Sequence, residues 1–199
     1  METISLLAFF VFAALDWYAV TLPTRQLEYV AKPAALAALL VFASTGSGAS
    51  PLLIAALCLG LLGDIYLMLP VDLFIAGLGA FLVGHLAYIA DFHAALGWRL
   101  IWFAVMVAAT YPVSRRIVRA VSDGTLRLAV MVYLAVISFM AASAIASGSF
   151  AAAIGAVLFV ASDAIIAWDR FVAPKSWARV AIIVTYHLGQ FGLVYSLRS

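Results

Sequence analysis

Eight apolar segments cover most of the chain, and they constrain its fold more than any other feature. A helix rises about 1.5 Å per residue, so about 20 residues cross the hydrocarbon core of a bilayer. Most of the segments approach that length, whereas the second and the fifth are shorter. They are Ile4–Leu22, Tyr29–Ser44, Pro51–Leu69, Leu73–Phe92, Trp98–Val113, Leu126–Ser147, Phe150–Asp169 and Trp177–Leu197. Because lipid offers no hydrogen bonds to the backbone, each segment is predicted to be a membrane-spanning helix.

The composition supports a membrane protein. Hydrophobic residues make up 67% of the 199-residue chain and charged residues 10%, whereas soluble domains carry about 25% charged residues. Breakers such as Pro70, Pro112 and Gly148 mark the joints, and no long linker or low-complexity tract interrupts the series. We therefore expect an all-α, polytopic membrane helix bundle of about eight transmembrane helices. Residues 1–199 are predicted to form a single integral membrane domain.

The basic residues predict the orientation of the chain. Nine of them fall in connections one, three, five and seven, and two, Arg99 and Arg198, fall on the opposite side. The nine are Arg25, Lys32, Arg115, Arg116, Arg119, Arg127, Arg170, Lys175 and Arg179. Because cytoplasmic loops carry the excess of Lys and Arg, both termini are predicted to lie on the non-cytoplasmic side. For a short chain of this kind we expect a bacterial inner membrane.

Two aspartates, Asp64 and Asp163, lie inside apolar segments, where a charged side chain costs about 3 kcal/mol or more. Asp64 lies six residues before Pro70 and Asp163 seven residues before Arg170, so both are expected at matching depth in the cytoplasmic half of the membrane. We expect the two carboxylates to meet in one cavity and to carry the function. Lys32, at the start of the second segment, is expected at a similar level. The alternative is that the aspartates are structural, hydrogen-bonded to Ser or Tyr.

A short similarity relates the two halves of the chain. Asp64 in the third segment follows a glycine and Asp163 in the seventh follows Ser162, and the next segment in each half carries a histidine, His85 or His187. This offset favours a 4+4 parallel internal repeat, and chance similarity between apolar helices is the alternative. Ligand sites in repeat-built membrane proteins lie between the repeats.

Further polar side chains lie on the faces of two segments. Tyr186 lies four residues before Gln190 and His187 three residues before it, so both side chains share a helix face with Gln190. A polar group of this kind in an apolar segment indicates a functional role. His85 shares a face with glycines, which favours close helix contact, and it is either a satisfied core histidine or a chemical group.

The sequence argues against several kinds of site. Basic residues do not interleave with aromatic residues in a patch, so nucleic-acid binding is not expected. The three histidines and Cys58 lack the spacing of a zinc site, so no metal is expected, and convergence of His85, His187 and an aspartate on a metal is the alternative. The sequence contains no phosphate loop, dinucleotide fingerprint or Gly-x-Ser-x-Gly elbow, so no cofactor is expected.

Short motifs follow one another from the second segment to the eighth. The first are Lys32-Pro33, Gly63-Asp64 and Phe74-x-x-Gly77-x-x-x-Phe81-x-x-Gly84-His85-x-x-Tyr88. The last are Gly155-Ala-x-Leu-Phe159-x-x-Ser162-Asp163-x-x-x-Ala167-x-x-Arg170-Phe171 and Thr185-Tyr186-His187-x-x-Gln190. In this order and spacing they resemble the YhhN-like lysoplasmalogenase family.

The resemblance implies an eight-span membrane hydrolase that cleaves the vinyl ether bond of lysoplasmalogens. The implied products are a fatty aldehyde and glycerophospho-ethanolamine or -choline, and the implied partners are the lysophospholipid and membrane lipids. Asp64 and Asp163 are implied as catalytic residues. The residues implied to bind the substrate are Lys32, His85, Tyr88, Ser162, Tyr186, His187 and Gln190. Small-residue helix faces suit dimer contacts and intrachain packing equally, so no oligomeric state is predicted.

The chemistry of this reaction suits a pair of carboxyl groups. A proton adds to the vinyl carbon distal to oxygen, water adds to the resulting oxocarbenium ion, and the hemiacetal collapses to aldehyde and alcohol. One acid and one base suffice, as in glycosidases. Burial favours the protonated form of one aspartate as the acid, and the other aspartate, ionised, stabilises the cation and activates water. Either aspartate suits either role, and Lys32 is expected to attract the substrate phosphate or to keep one aspartate ionised.

A proton-coupled transporter is the main alternative, because buried carboxylates and histidines also form proton relays. The repeat favours this alternative, and the lack of paired broken helices speaks against it. A non-enzymatic lipid-binding membrane protein is a third interpretation. A transporter predicts flux driven by a pH gradient without turnover, whereas a lipid-binding protein tolerates asparagine at both aspartate positions.

Overall fold

The computed structural model describes residues 1–46 and 48–198, and within these ranges it contains eight α-helices and no strand. The helices are α1 (Glu2–Ala19), α2 (Glu28–Ser44), α3 (Pro51–Met68), α4 (Phe74–Asp91), α5 (Leu96–Ala120), α6 (Gly124–Ala146), α7 (Phe150–Phe171) and α8 (Ala178–Leu197). Each helix corresponds to one predicted segment, so the prediction of an all-α fold with eight helices is confirmed. The 4+4 repeat stays a prediction.

Seven of the described helices are long and apolar enough to cross a membrane, which fits an integral membrane protein. The remaining helix, α2, has 17 residues and contains Pro33. A proline inside a helix removes one backbone hydrogen bond, and membrane helices tolerate this where neighbouring helices or side chains satisfy the freed carbonyl. The bacterial membrane and the side on which the termini lie stay predictions.

The fifth helix is longer than the sequence predicts. It continues past Pro112, which we expected to act as a breaker, and ends at Ala120. The prediction that this segment ends at Val113 is therefore wrong. The reason is that one lost hydrogen bond does not end a helix whose following turns are otherwise well formed. The added turns are polar and carry Arg115, Arg116 and Arg119.

Side-chain caps fix where three helices begin. The hydroxyl of Ser50 accepts the N–H of Leu53 at 3.0 Å at the start of α3. The carboxylate of Asp123 accepts the N–H of Leu126 at 2.7 Å at the start of α6. Ser149 caps α7 in the same way. Such caps satisfy N–H groups that have no partner within their own helix.

The chain forms two compact units, Met1–Asp91 with Val194–Ser199 and Phe92–Leu193. In the first unit, α1 packs on α2, α2 on α3, and α3 on α4. In the second unit, α5 packs on α6, α6 packs on α7, and α5 also contacts α7. The single domain stays a prediction.

Arg198, which follows α8, contacts other residues of the first unit. The Nη1 atom of Arg198 lies 2.7 Å from Oε1 of Glu2. The same guanidinium lies over the ring of Phe42, 3.9 Å from its centroid. Phe42 is buried, so the arginine covers an apolar ring with its planar face while it pairs with a carboxylate.

In the second unit, α7 and α8 touch through their backbones. A Cβ atom added at Gly155 would lie 2.8 Å from the nitrogen of Leu193 and 2.9 Å from the oxygen of Gly189. A Cβ atom at Gly192 would lie 2.8 Å from the oxygen of Ala151. Small residues let helices approach closely in lipid, where packing replaces the hydrophobic effect as the driving force. This contact holds the helix of Asp163 against the helix of the predicted Tyr186–Gln190 group.

Candidate functional site

Lys32 and Asp64 form an ion pair in the first unit. The Nζ atom of Lys32, on α2, lies 2.9 Å from Oδ1 of Asp64, on α3, and their side chains are 14% and 2% exposed. A carboxylate in an apolar setting is costly unless it is paired, and the ammonium group provides that pairing. The expectation that Lys32 lies at the level of Asp64 is confirmed.

Close packing of α3 on α4 surrounds Asp64 with protein. A Cβ atom at the preceding residue, Gly63, would lie 2.6 Å from a ring carbon of Phe81 on α4. Only a glycine leaves room for this ring. The Phe81 ring therefore packs directly against the α3 backbone at the position next to the carboxylate.

Helix α4 also carries buried polar residues. His85 and Tyr88, three residues apart, are each 1% exposed. At the end of the same helix Asp91 is also buried, and its Oδ1 atom accepts the hydroxyl of Ser50 at 2.6 Å. Ser50 thereby caps α3 and binds α4 at once. Asp91 lies near the end of its apolar segment, and its bond to Ser50 makes it part of the α3–α4 contact.

Asp163 lies in the second unit, where its partner is a residue that the sequence analysis missed. The hydroxyl of Tyr133, on α6, donates to Oδ2 of Asp163 on α7. Tyr133 is buried, and Asp163 is partly buried. The signal that could have identified Tyr133 is its place as the one tyrosine in the apolar segment Leu126–Ser147. A buried tyrosine hydroxyl generally needs a hydrogen-bond partner.

The predicted group on α8 is buried and joined by hydrogen bonds. The side-chain amide of Gln190 donates to the hydroxyl of Tyr186 at 3.3 Å, so the sharing of a face by these two residues is confirmed. The Tyr186 ring packs edge-on against Phe159 of α7 at 5.4 Å. His187 is fully buried next to it. The hydroxyl of Ser162 donates to the carbonyl of Ile182 at 3.0 Å and links α7 to α8.

The structure thus arranges the predicted site residues as two clusters, each within its own unit. Lys32 and Asp64 lie together in the first unit, which also holds buried His85 and Tyr88. The second cluster comprises Tyr133 with Asp163, and Ser162, Tyr186, His187 and Gln190 at the α7–α8 contact. The prediction that both carboxylates serve one site stays a prediction.

Chemically, the two clusters offer different groups. The first provides a carboxylate paired with an ammonium group, which suits stabilisation of a cation or activation of water. The second provides a carboxyl group hydrogen-bonded to a phenol, which suits transfer of a proton. Within residues 1–46 and 48–198, no three His, Cys, Asp or Glu side chains gather in a way that could hold a metal ion. That the protein works without a metal stays a prediction.

Comparison with known proteins places these features in a family. The chain is 29% identical over 198 residues to a human protein named lysoplasmalogenase TMEM86B, covering 96% of this chain and 85% of that protein. It is 30% identical over 197 residues to the protein of the same name from mouse, with the same coverage of 96% and 85%. Over 150 residues it is 32% identical to the rat protein of that name, covering 74% of this chain and 62% of the rat protein. No solved structure matches the chain significantly.

The family match extends over almost the whole chain. Residues 27–197 match the YhhN family. This range includes Lys32 and Asp64, Tyr133 and Asp163, and the buried polar residues of α4 and α8. The chain belongs to the YhhN family.

Proposed function

We propose that this protein is a lysoplasmalogenase, which hydrolyses the vinyl ether bond of lysoplasmenyl-ethanolamine or -choline to a fatty aldehyde and glycerophospho-ethanolamine or -choline. Proteins of that name from human and mouse match 96% of the chain. The structural observation that supports the proposal most is the 2.9 Å ion pair of Lys32 with Asp64 on an apolar helix. A carboxylate buried in an apolar helix and kept in place by an ammonium group can serve a reaction on a lipid away from bulk water.

The reaction needs one proton donor and one proton acceptor. The donor protonates the vinyl carbon distal to oxygen, which leaves an oxocarbenium ion at the carbon bonded to the ether oxygen. The acceptor removes a proton from water as the water oxygen adds to that carbon. The hemiacetal then breaks its bond to the glycerol oxygen, which takes a proton and leaves as the alcohol. The protonated acceptor supplies the proton that the glycerol oxygen takes, and the hemiacetal hydroxyl gives its proton to the deprotonated donor, so both carboxyl groups return to their starting states.

Asp64 fits the role of proton acceptor. The ammonium group of Lys32, at 2.9 Å, stabilises the ionised carboxylate. An ionised carboxylate also stabilises the positive charge of the oxocarbenium ion. This contact supports the second of the two roles expected for Lys32, which is to keep an aspartate ionised.

Asp163 is then the proton donor, the complementary role. Its hydrogen bond from the Tyr133 hydroxyl stabilises the carboxylate that forms when the proton leaves. We propose that Tyr186, His187 and Gln190 orient the water or the glycerol hydroxyl. Ser162, His85 and Tyr88 are proposed to shape the site around the lipid. With the cytoplasmic orientation predicted from the basic residues, the lipid enters from the cytoplasmic leaflet.

The test is aldehyde release by purified protein in detergent from lysoplasmenyl-ethanolamine. The control lipid is the saturated 1-alkyl analogue, which has no vinyl carbon to protonate and should release nothing. Asp64→Asn and Asp163→Asn should each lower kcat by about 100-fold or more, the usual size of an acid–base contribution. The double variant should be no worse than the poorer single variant, because residues that act in one step are not additive.

A matched control separates charge loss at the site from charge loss elsewhere. Asp123→Asn removes an exposed carboxylate but keeps a good helix cap, since asparagine caps as well as aspartate. This variant should keep full activity. A folded wild type that releases no aldehyde would overturn the proposal. In that case flux driven by a pH gradient in proteoliposomes, abolished by Asp64→Asn, would identify a proton-coupled transporter instead.

A further inference from the structure

Tyr133 is a buried polar side chain in an otherwise apolar part of α6. It is followed by Leu134, Ala135 and Val136, and the residue is 5% exposed. Its hydroxyl donates to Oδ2 of Asp163. The two residues are 30 positions apart, so the bond depends on how α6 packs on α7 and not on local sequence.

Helix caps and helix packing hold the Tyr133 hydroxyl next to the Asp163 carboxyl group. Asp123 caps the start of α6, and Tyr133 lies ten residues after it. Ser149 caps α7, which runs back in the opposite direction to reach Asp163. Because Ser162 bonds to the carbonyl of Ile182, α7 is also fixed to α8 at the residue next to Asp163. The Asp163 side chain is therefore presented to Tyr133 by a helix that is fixed on both sides.

We propose that Tyr133 is a positioning residue that holds the Asp163 carboxyl group for proton transfer. This inference rests on the proposed function. A phenol has one hydrogen to donate, and by donating it to Oδ2 it restricts the rotation of the carboxyl group that carries the transferred proton. When that proton leaves for the vinyl carbon, the bond from Tyr133 becomes a bond to an anion. Hydrogen bonds to charged groups are stronger than neutral ones.

This role predicts an effect on the chemical step more than on binding. The bond strengthens as charge develops on Asp163, so it stabilises the transition state more than the bound substrate. Tyr133→Phe should therefore lower kcat by about 10- to 100-fold, the range expected from one hydrogen bond to a charged group, and leave KM unchanged. A residue that only filled space would be replaced by phenylalanine without a change in either constant.

The experiment compares Tyr133→Phe with Tyr111→Phe and Asp163→Asn. Tyr111 is 56% exposed on α5, so its variant loses a hydroxyl without touching the site and should behave as wild type. Thermal unfolding in detergent checks that each variant is folded. Wild-type kcat in folded Tyr133→Phe, with Asp163→Asn inactive, would overturn the role of Tyr133 and leave the proposed function intact.

An infrared measurement tests the hydrogen bond without turnover. In protein labelled with ¹³C-aspartate, the Asp163 carboxyl band is the one that Asp163→Asn removes. This band should shift in Tyr133→Phe and stay in place in Tyr111→Phe. An unshifted band in Tyr133→Phe would overturn the proposal. If the wild type releases no aldehyde, the proposed function fails by itself, and the band still decides whether Tyr133 holds Asp163.

Discussion

The ammonium nitrogen of Lys32 lies 2.9 Å from a carboxylate oxygen of Asp64, and both side chains are withdrawn from the surface. The pair joins the shortest helix of the fold to the helix that carries a predicted catalytic residue. Its two members therefore serve stability and chemistry at once, and substitutions at Lys32 can separate the two effects.

Replacing Lys32 by methionine should both destabilise and inactivate the protein. The variant keeps most of the side-chain volume but leaves the Asp64 carboxylate, 2% exposed, without its ammonium partner. Removing one member of a buried pair costs about 3–5 kcal/mol. Thermal unfolding in detergent and aldehyde release measure the two effects.

The double variant Lys32→Met/Asp64→Asn is the control for this prediction. It removes both charges, so it should recover most of the lost stability while staying inactive. Lys32→Arg keeps the charge and should retain more activity than Lys32→Met. Full activity of folded Lys32→Met would contradict the role given to the pair.

The proposed reaction predicts where isotopes from water appear. In D₂O, the fatty aldehyde should carry one deuterium on the carbon next to the carbonyl, because that carbon receives the proton. In H₂¹⁸O, the label should appear in the aldehyde and not in the glycerol hydroxyl, because water adds to the oxocarbenium carbon. Reduction of the aldehyde with borohydride as it forms prevents later exchange, and mass spectrometry reads both labels. Label in the glycerol product would exclude this sequence of steps.

Gly155→Ala should destabilise the second unit by about 1–3 kcal/mol, the usual penalty for overpacking. The added Cβ atom would lie within 2.9 Å of backbone atoms of Leu193, Gly189 and Gly192, none of which can rotate away. Gly79→Ala is the matched control, since a Cβ atom there meets nothing within 4 Å and alanine favours the helix. Melting temperatures in detergent compare the two. Equal stability of both variants would show that α7 and α8 are less tightly packed than described.

Ser50→Ala should destabilise more than Ser149→Ala, with catalysis intact in both folded variants. Each substitution removes a helix cap worth about 1 kcal/mol. Only Ser50 also donates to buried Asp91, at 2.6 Å, so its loss leaves a carboxylate oxygen without that donor. Unfolding measurements on the two variants give the contribution of the Ser50–Asp91 bond by difference. Equal losses of stability would argue that this bond contributes nothing.

The helices were largely predictable because lipid offers no hydrogen bonds to the backbone, so a spanning segment satisfies its own by forming a helix. The starts predicted for the third segment, at Pro51, and for the seventh, at Phe150, agree with the structure, in which Ser50 and Ser149 cap these two helices. The end of the fifth helix was not predictable in this way. Pro112 carries the same local signal whether it ends a helix or lies within one, and only the surrounding packing decides between the two.

The residues of the candidate site were predictable individually, but most of their partners were not. Aspartates in apolar segments stand out because their burial is costly, so Asp64 and Asp163 were identified from sequence. Tyr133 gives no such signal, because a tyrosine in an apolar segment is as consistent with an aromatic core residue as with a functional one. Contacts between residues 30 or more positions apart depend on helix register, which hydropathy does not encode.

The first unit is discontinuous in sequence, since Arg198 lies against Glu2 and Phe42. This has a consequence for synthesis. The helices that bear Lys32 and Asp64 leave the ribosome long before Arg198 does, and until then Phe42 lacks the guanidinium that covers it. The final assembly step of this unit therefore waits until Arg198 has left the ribosome, and a ribosome stalled within α8 would leave the unit unfinished.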